Sequence, residues 1–240
     1  MGMKEYFESA SSKSSVKVEK TDEEINIRSK KKTFTFAFLR KEIKAGNARK
    51  YLSVEDEITV KLKDGRTIDV VVAGIDTYHE NEVLFALKDL WFEKEQMNES
   101  NTNEGGYLKS KMHLKTLPNI LKVLPDELVE AITPRKITQI IDGEEYSEET
   151  KLWLWSETEV FGDSDLNDRE KARDNGDKWV ELFKHRRNRI KEFAGQAHAW
   201  WLRSPHIIYS TTFWYVDYYG YVSHYLVAAH SYGVCFGFCI

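Results

Sequence analysis

The 240-residue chain has little of several features that mark particular protein classes. It contains two cysteines, too few for the disulfide framework of a small secreted domain, so a reducing compartment is the default expectation. No segment approaches the roughly 18 consecutive apolar residues of a membrane-spanning helix, and the first residues lack the apolar core of a secretory signal. These absences predict a protein that does not insert into membranes.

The chain also has no excess of basic residues. Its 35 Lys and Arg residues and 39 Asp and Glu residues give a formal charge of −4. A dedicated nucleic-acid binder needs surplus positive charge to neutralise phosphates, so we expect no nucleic-acid partner. We interpret a basic cluster at residues 184–189 as the solvated face of a helix, because acidic residues are abundant around it.

Charge is nearly missing from the last 35 residues, where Asp217 is the only one of the chain's 74 charged side chains. A buried β core would explain that absence. It would not explain the seven tyrosines and three histidines of the same stretch, because such side chains need hydrogen-bond partners when buried. Tyrosine-rich composition is typical of recognition loops, since the side chain offers a large amphipathic contact with few rotatable bonds. The stretch is therefore interpreted as a binding surface.

Lys, Glu, Gln and Met are all absent from this stretch. All 56 Lys, Glu, Gln and Met residues precede residue 206. Together with Trp, these are the amino acids that codons ending in C or T cannot encode. The composition of residues 206–240 is therefore compatible with a gene segment in which many codons end in a pyrimidine.

The hydrophobic pattern divides the chain into a mobile polar leader (residues 1–30), a β-rich N-terminal region (31–100) and a C-terminal domain (101–240). The clearest local signal is Asp64-Gly65 between two alternating runs, which predicts a tight β-hairpin. Further patterns predict a strand at residues 33–38, a short helix within 39–52 that has Leu39, Ile43 and Ala45 on its apolar face and stops at Gly46, a strand at 82–92, helices at 107–124 (interrupted by Pro118) and 125–132, a strand at 137–141, a polar loop at 142–151, a strand at 152–161, a charged insert at 164–178 and a helix at 178–190.

Three motifs near the C-terminus resemble a known family. They are WWLRSP (Trp200 to Pro205), Phe213-x-x-Val216-x-x-x-Gly220-x-Val222, and Gly233-Val234-x-Phe236-Gly237-Phe238. They are similar to the C-terminal end of variable proteins diversified by retroelements, which share the C-type lectin fold. More narrowly, the chain resembles lectin-fold domains of gut Firmicutes and their phages over about residues 55–240. Cys235 departs from the pattern, because an Arg commonly follows the Gly-Val pair.

In that family an error-prone reverse transcriptase rewrites adenines of a template, so that Asn codons become any codon ending in C or T. The resemblance implies an α+β, C-type lectin fold, with small antiparallel sheets, flanking helices near residues 106–132 and 178–190, and a variable region at 206–232. It implies a fixed framework at Phe213, Trp214, Val216, Gly220, Val222, Ala228, Ser231, Gly233 and Val234. It also implies that the interleaved residues, here called the variable positions, bind the ligand: His206, Ile207, Ile208, Tyr209, Thr211, Thr212, Tyr215, Asp217, Tyr218, Tyr219, Tyr221, Ser223, His224, Tyr225, Leu226, Ala229, His230 and Tyr232.

The sequence shows no assembled catalytic constellation, so we expect a protein that is not an enzyme and needs no cofactor. The resemblance implies that it binds an unknown protein or surface ligand. The sequence does not indicate an oligomeric state, and without a recognisable signal peptide or transmembrane segment a cytoplasmic or phage-particle-associated location is the default expectation. Two alternatives stay open. One is a structural component of a phage particle or cell surface with a fixed interface. The other is an oxidase similar to formylglycine-generating enzymes, which share the lectin fold and use a cysteine pair.

Two residue sets were candidates for other chemistry. On a strand, Cys235 and Cys239 would lie roughly 13 Å apart, too far for a disulfide or a shared ion, so we expect buried structural thiols. His206, His224 and His230 could bind a metal, but one adenine change converts an Asn codon to a His codon without any ligand role. We therefore expect no metal site.

Overall fold

The computed structural model describes residues 25–27, 32–141, 143–162 and 177–240. Within these residues the fold is α+β, with small antiparallel sheets and few helices, as the sequence predicts. Apart from residues 25–27, the predicted leader lies outside the described residues, as does the predicted charged insert except for residues 177 and 178. Among the described helices, none combines the length and the apolar character that crossing a bilayer requires.

The strands form five antiparallel sheets in the described part of the chain. Their bounds are β1 (Ile25–Ile27), β2 (Lys32–Phe34), β3 (Glu57–Lys61), β4 (Thr67–Ile75), β5 (Val83–Leu87), β6 (Glu95–Gln96), β7 (Arg135–Ile141), β8 (Glu144–Thr150), β9 (Trp153–Leu154), β10 (Lys191–Phe193), β11 (Gln196–His198), β12 (Trp200–Pro205), β13 (Phe213–Val216), β14 (Val222–Ser223), β15 (Ser231–Tyr232) and β16 (Phe236–Cys239).

The helices are short. Their bounds are α1 (Phe36–Lys44), α2 (Ala48–Tyr51), α3 (Leu117–Val123), α4 (Asp126–Ala131) and α5 (Glu157–Phe161), with a π-helical turn at Met112–Thr116 and 3₁₀ turns at Glu181–Lys184 and Arg186–Arg189.

The largest sheet has the strand order β2-β1-β3-β4-β5-β16-β9, so the last strand of the chain lies between strands from much earlier positions. Phe238 pairs with Phe85 across β16 and β5, and the two rings stack with centroids 5.1 Å apart. Gly237 faces Trp155 so closely that a Cβ atom would lie 2.5 Å from the indole, which leaves room only for glycine. The predicted boundary between residues 100 and 101 therefore runs through one sheet and one continuous core.

The predicted hairpin is confirmed by β3 and β4, which pair from Glu57 opposite Val71 to Lys61 opposite Thr67. Gly65 has a φ of 90°, the left-handed conformation that glycine adopts without strain. A further hydrogen bond of 2.8 Å, from the N–H of Leu62 to the carbonyl of Arg66, closes the connection. The alternating apolar residues of both strands point into the core.

Two N-terminal predictions need correction. The strand predicted at residues 33–38 ends at Phe34, because the Thr35 hydroxyl accepts a hydrogen bond from the N–H of Phe38 and begins α1. Leu39 and Ile43 are buried on α1 as predicted, but Ala45 is exposed just beyond the end of the helix.

Four predictions for residues 107–190 also differ from the structure. The predicted polar loop at 142–151 contains β8, which pairs with β7 along its whole length and therefore gains hydrogen bonds that the polar sequence did not indicate. The predicted strand at 152–161 stops at Leu154, because Ser156 and Glu159 form a reciprocal capping box that begins α5. Pro118 lies in the first turn of α3 and does not interrupt a helix. The predicted helix at 178–190 consists of the two 3₁₀ turns.

A three-stranded sheet of β12, β13 and β14 carries the variable region. The loop of residues 206–212 connects β12 to β13, and the turn of residues 217–221 connects β13 to β14. These two connections lie at opposite ends of β13, about 13 Å apart for a strand of this length. Variable positions are thereby presented at both ends of one small sheet.

Candidate functional site

Exposed apolar side chains concentrate in the variable region. Of the twelve large hydrophobic residues exposed in the described part of the chain, seven lie between residues 207 and 225. We call them the tyrosine-rich surface: Ile207, Ile208, Tyr209, Tyr218, Tyr219, Tyr221 and Tyr225. Clusters of exposed aromatic groups mark interaction sites more often than scattered single residues do.

The variable positions differ in exposure. Eight are exposed, namely the seven residues of the tyrosine-rich surface and His230. Seven are half-buried, namely Thr211, Asp217, Ser223, His224, Leu226, Ala229 and Tyr232. Of the nine framework positions seven are buried, whereas Val222 is half-buried and Ser231 is exposed.

Three variable positions are buried, which departs from the expectation of an outward-facing set. Tyr215 lies in β13, and its ring stacks on Tyr232 with a centroid distance of 6.2 Å. Thr212 pairs across an isolated bridge with Val227. His206 is stacked on Trp214 at 4.9 Å. These tertiary contacts bury side chains whose spacing in the sequence matches that of the exposed ones.

His206 belongs to a first aromatic group at the 206–212 end of the sheet. The rings of His206, Tyr209, Trp214, His224 and Tyr225 form a chain of contacts with centroid distances from 4.5 to 5.6 Å. Nδ1 of His206 accepts hydrogen bonds from the main-chain N–H groups of residues 208 and 209, at 3.0 and 3.1 Å. The imidazole therefore fixes the loop that carries the exposed Tyr209.

A second aromatic group occupies the 217–221 turn. Oδ1 of Asp217 accepts hydrogen bonds from the N–H groups of Tyr219 and Tyr221, at 2.9 and 2.8 Å. The rings of Tyr218 and Tyr219 lie 4.2 Å apart, and a hydrogen bond with Tyr219 raises the pKa of Tyr218. The single charge of the last 35 residues thus holds a turn that presents three exposed tyrosines.

Residues 95–103, here called the support segment, hold the variable region through its main chain. Nδ2 of Asn103 donates to the carbonyl oxygens of His206, Tyr209 and Thr212, at 2.9, 3.1 and 2.9 Å. The N–H of Asn103 donates to the carbonyl of Ser210 at 2.7 Å. None of these four acceptors belongs to a side chain.

The other end of the variable region is held similarly. Oδ1 of Asn101 accepts from the N–H of Ala229 at 3.3 Å, and Nε2 of Gln96 donates to the carbonyl of the same residue. Strand β6 also pairs with β15, with Gln96 opposite Ser231. Because a main-chain group is present whatever the side chain, these bonds do not depend on residue identity at positions 206–229.

The structure also contains a buried ionic network that the sequence analysis did not predict. It joins Arg135, Glu159, Asp177 and Arg203 in a closed ring of ion pairs. The Glu159 carboxylate lies 2.6 Å from Arg135, and Tyr78 donates a hydrogen bond of 2.8 Å to it. Burial acts to raise the pKa of Glu159, but the two guanidinium groups outweigh it and lower that pKa to about 2. Arg203 lies within the WWLRSP motif, and its position directly after three large apolar residues was the available signal.

The cysteine prediction is confirmed as far as burial is concerned. Cys235 donates to the carbonyl of Leu87 at 3.4 Å, and Cys239 donates to that of Thr133 at 3.1 Å. Burial raises the pKa of Cys235 to about 11 and that of Cys239 to about 12, so neither thiol is an activated nucleophile. In the described ranges, no group of three or more His, Cys, Asp or Glu side chains is arranged to hold a metal ion.

Residues 81–240 match a protein family described as a domain of unknown function, DUF6273. The match covers more than half of the chain and includes the support segment, the ionic network and the variable region. Comparisons with curated proteins and with solved structures found no match.

Proposed function

This chain belongs to the DUF6273 family, and we propose that it is a non-enzymatic binding protein that displays the tyrosine-rich surface to a protein ligand. One observation carries the proposal. Seven large apolar side chains are exposed, and hydrogen bonds from Asn103 and to Asp217 order the 206–212 loop and the 217–221 turn that carry six of them. Ordered exposed tyrosines bury a large area on contact and lose little rotamer freedom.

We further propose that the surface is diversified by a retroelement on a C-type lectin scaffold. The α+β arrangement of small antiparallel sheets is compatible with that fold. Support also comes from burial, because 15 of the 18 variable positions retain some exposure while seven of the nine framework positions are buried. Substitution at exposed positions costs little stability, and a framework held by main-chain bonds tolerates it.

The burial of both cysteines favours this proposal over an oxidase with a catalytic cysteine pair. A catalytic thiol needs access to substrate and a depressed pKa. Cys235 and Cys239 are buried, and their pKa values are raised. Replacing both with Ser should leave ligand binding intact and perturb only packing.

The gene and its neighbourhood test the diversification. We expect a reverse transcriptase gene and a near-identical template repeat with AAC or AAT at the variable positions. Among sequences from the same locus, differences should concentrate at Tyr218, Tyr219 and Tyr221 and should spare Phe213 and Val216. Absence of the repeat would rule out retroelement diversification.

The same comparison of sibling sequences distinguishes the alternative of a fixed interface in a phage or cell-surface structure. A fixed interface would keep Tyr218, Tyr219 and Tyr221 in every copy. A diversified one would replace them independently while the support segment stays constant.

A further inference from the structure

A charged side chain from outside the variable region, Arg186, contacts the second aromatic group. Its Nη1 donates a hydrogen bond to the hydroxyl of Tyr221, and its guanidinium carbon lies 5.0 Å from the centroid of the Tyr221 ring. Both side chains are exposed. The basic cluster at residues 184–189, expected on a solvated helix, therefore adjoins the tyrosine-rich surface.

The position of Arg186 is fixed by its 3₁₀ turn, Arg186–Arg189. Nε1 of the buried Trp200 donates to the carbonyl of Arg189 at 2.9 Å and ties the turn to β12. Gly220, with a φ of 82°, packs against the other end of the turn, where a Cβ atom would lie 3.1 Å from the carbonyl oxygen of Arg186. The turn and the tyrosines are thus held together as one surface.

Arg186 has no carboxylate within ion-pair distance among the residues that the structure describes, although its neighbour Arg187 lies 2.7 Å from Glu55. Asp217, in the adjoining turn, uses Oδ1 for the main-chain bonds that shape that turn. Exposed Lys184 likewise has no carboxylate partner within the described ranges. The Nε and Nη2 donors of Arg186 therefore remain available to a ligand.

We propose that Arg186 is a fixed anchor of the tyrosine-rich surface and binds a carboxylate of the protein partner, an exposed Asp or Glu side chain. This inference rests on the proposed function. A guanidinium group presents parallel N–H donors that match the two carboxylate oxygens, and Arg and Tyr are both enriched where interfaces carry most of their binding energy. Because Arg186 lies outside residues 206–232, every diversified version of the surface would keep the same anchor.

The charge distribution favours a single partner carboxylate over a nucleic acid. The chain has a formal charge of −4, and the basic cluster is flanked by Glu181 and Glu55, which would repel a run of phosphates. A single carboxylate beside Arg186 and Tyr221 needs no extended basic surface.

The test uses the full chain and a phage-displayed random peptide library as the probe. The wild-type protein selects peptides, the tightest binder is synthesised, and a second version of it is made with Asp and Glu replaced by Asn and Gln. Both peptides are titrated against wild type and Arg186→Gln, with Arg186→Lys as the conservative variant and Lys184→Gln as the control at a neighbouring exposed cation. A fluorescent single-stranded oligonucleotide is titrated in parallel.

We expect selected peptides enriched in Asp and Glu, and binding at least about 10-fold weaker for Arg186→Gln. Replacing the acidic residues of the peptide should weaken its binding to the wild type but not to Arg186→Gln. Arg186→Lys should recover part of the affinity, since it keeps the charge but loses the paired donors. Equal binding by Arg186→Gln, or oligonucleotide binding that depends on Arg186, would overturn the inference and leave the proposed function standing. If the wild type selects no peptide at all, the proposed function itself is contradicted and the inference falls with it.

Discussion

Arg203 and His206 stand three residues apart in the chain, yet the regions to which they belong are stabilised in opposite ways. Arg203 is held by side chains, since Glu159 and Asp177 accept from its guanidinium group in the buried ionic network. The loop that begins at His206 is held by its main chain, because Asn103 donates to three of its carbonyl groups. In the first region the identity of each side chain determines the structure.

In the second region the bonds from the support segment reach main-chain groups, while the side chains of His206 and Asp217 shape the two connections in which they lie. The support segment bonds to main-chain groups, and each of the five exposed tyrosines has more than half of its surface in solvent. A protein that must keep its fold while its surface changes needs this arrangement, because a lost core contact costs far more free energy than a lost surface contact. The predictions below test the contrast, from the largest expected effect to the smallest.

Replacing Glu159 with Gln should destabilise the protein by about 3–5 kcal/mol, because it removes one of the two carboxylates that pair with both buried guanidinium groups and leaves their charge poorly compensated. The free energy of unfolding in urea measures the effect. Glu55→Gln is the matched control, since Glu55 pairs with the exposed Arg187 and should cost less than about 1 kcal/mol. Similar losses for both variants would show that the ionic network does not stabilise the fold.

Because Glu159 is ionised in the folded protein, the free energy of unfolding should depend on pH in the acidic range. The pKa of Glu159 is about 2 in the folded protein against an ordinary value of 4.5, so its contribution is fully present above about pH 4.5 and is lost as the pH falls toward 2. The difference in unfolding free energy between wild type and Glu159→Gln should therefore shrink on acidification. Denaturant titrations from neutral to acidic pH test this, and a difference that stays constant would contradict the lowered pKa.

Tyr215→Ala should cost about 3 kcal/mol, since Tyr215 is only 8% exposed and contacts Trp201 and Tyr232. Tyr215 is one of the variable positions. A loss of unfolding free energy well below this value would indicate that its side chain is exposed like those of the tyrosine-rich surface. Urea unfolding measures the cost. Tyr215→Phe, which keeps the ring, serves as the control and should recover most of the stability.

Asn103→Ala should cost about 1–3 kcal/mol, because three main-chain carbonyl groups lose a donor and can regain only part of it from water. The effect should be local. Amide hydrogen exchange is expected to accelerate in residues 206–212 and to stay unchanged in β16. Asn119→Ala, at an exposed amide that accepts only from Lys122, should change neither property.

Equal protection of the 206–212 loop in wild type and Asn103→Ala would show that side-chain contacts such as His206 with Trp214 hold the loop instead. The contrast between the two regions would then disappear.

Features set by neighbouring residues could be predicted from the sequence, and features set by distant residues could not. Asp64-Gly65 identified the hairpin because the turn depends on those residues themselves. The ion pair of Glu159 with Arg203 spans 44 positions, and no periodicity indicates it. The capping box of Ser156 and Glu159 was readable, but the apolar residues before it suggested a strand.

The candidate site shows the same limit. The framework and variable positions that the family resemblance implies distinguished the buried Phe213 from the exposed Tyr218. The resemblance did not predict the burial of His206 and Tyr215, because that depends on rings contributed by Trp214 and Tyr232 through tertiary packing. Nor did it identify Asn103, whose acceptors lie more than 100 positions away.

Tyr225→Ala is the smallest expected change in stability, within about 0.5 kcal/mol, because its side chain is 80% exposed. The same variant should weaken ligand binding, since an ordered aromatic side chain in solvent contributes more to a complex than to the isolated fold. Unfolding in urea and titration with a selected peptide separate the two effects. Lost binding with unchanged stability would place Tyr225 on a binding surface, whereas lost stability with unchanged binding would assign it to the fold. The second result would also remove the main support for a surface whose side chains vary independently of the structure beneath them.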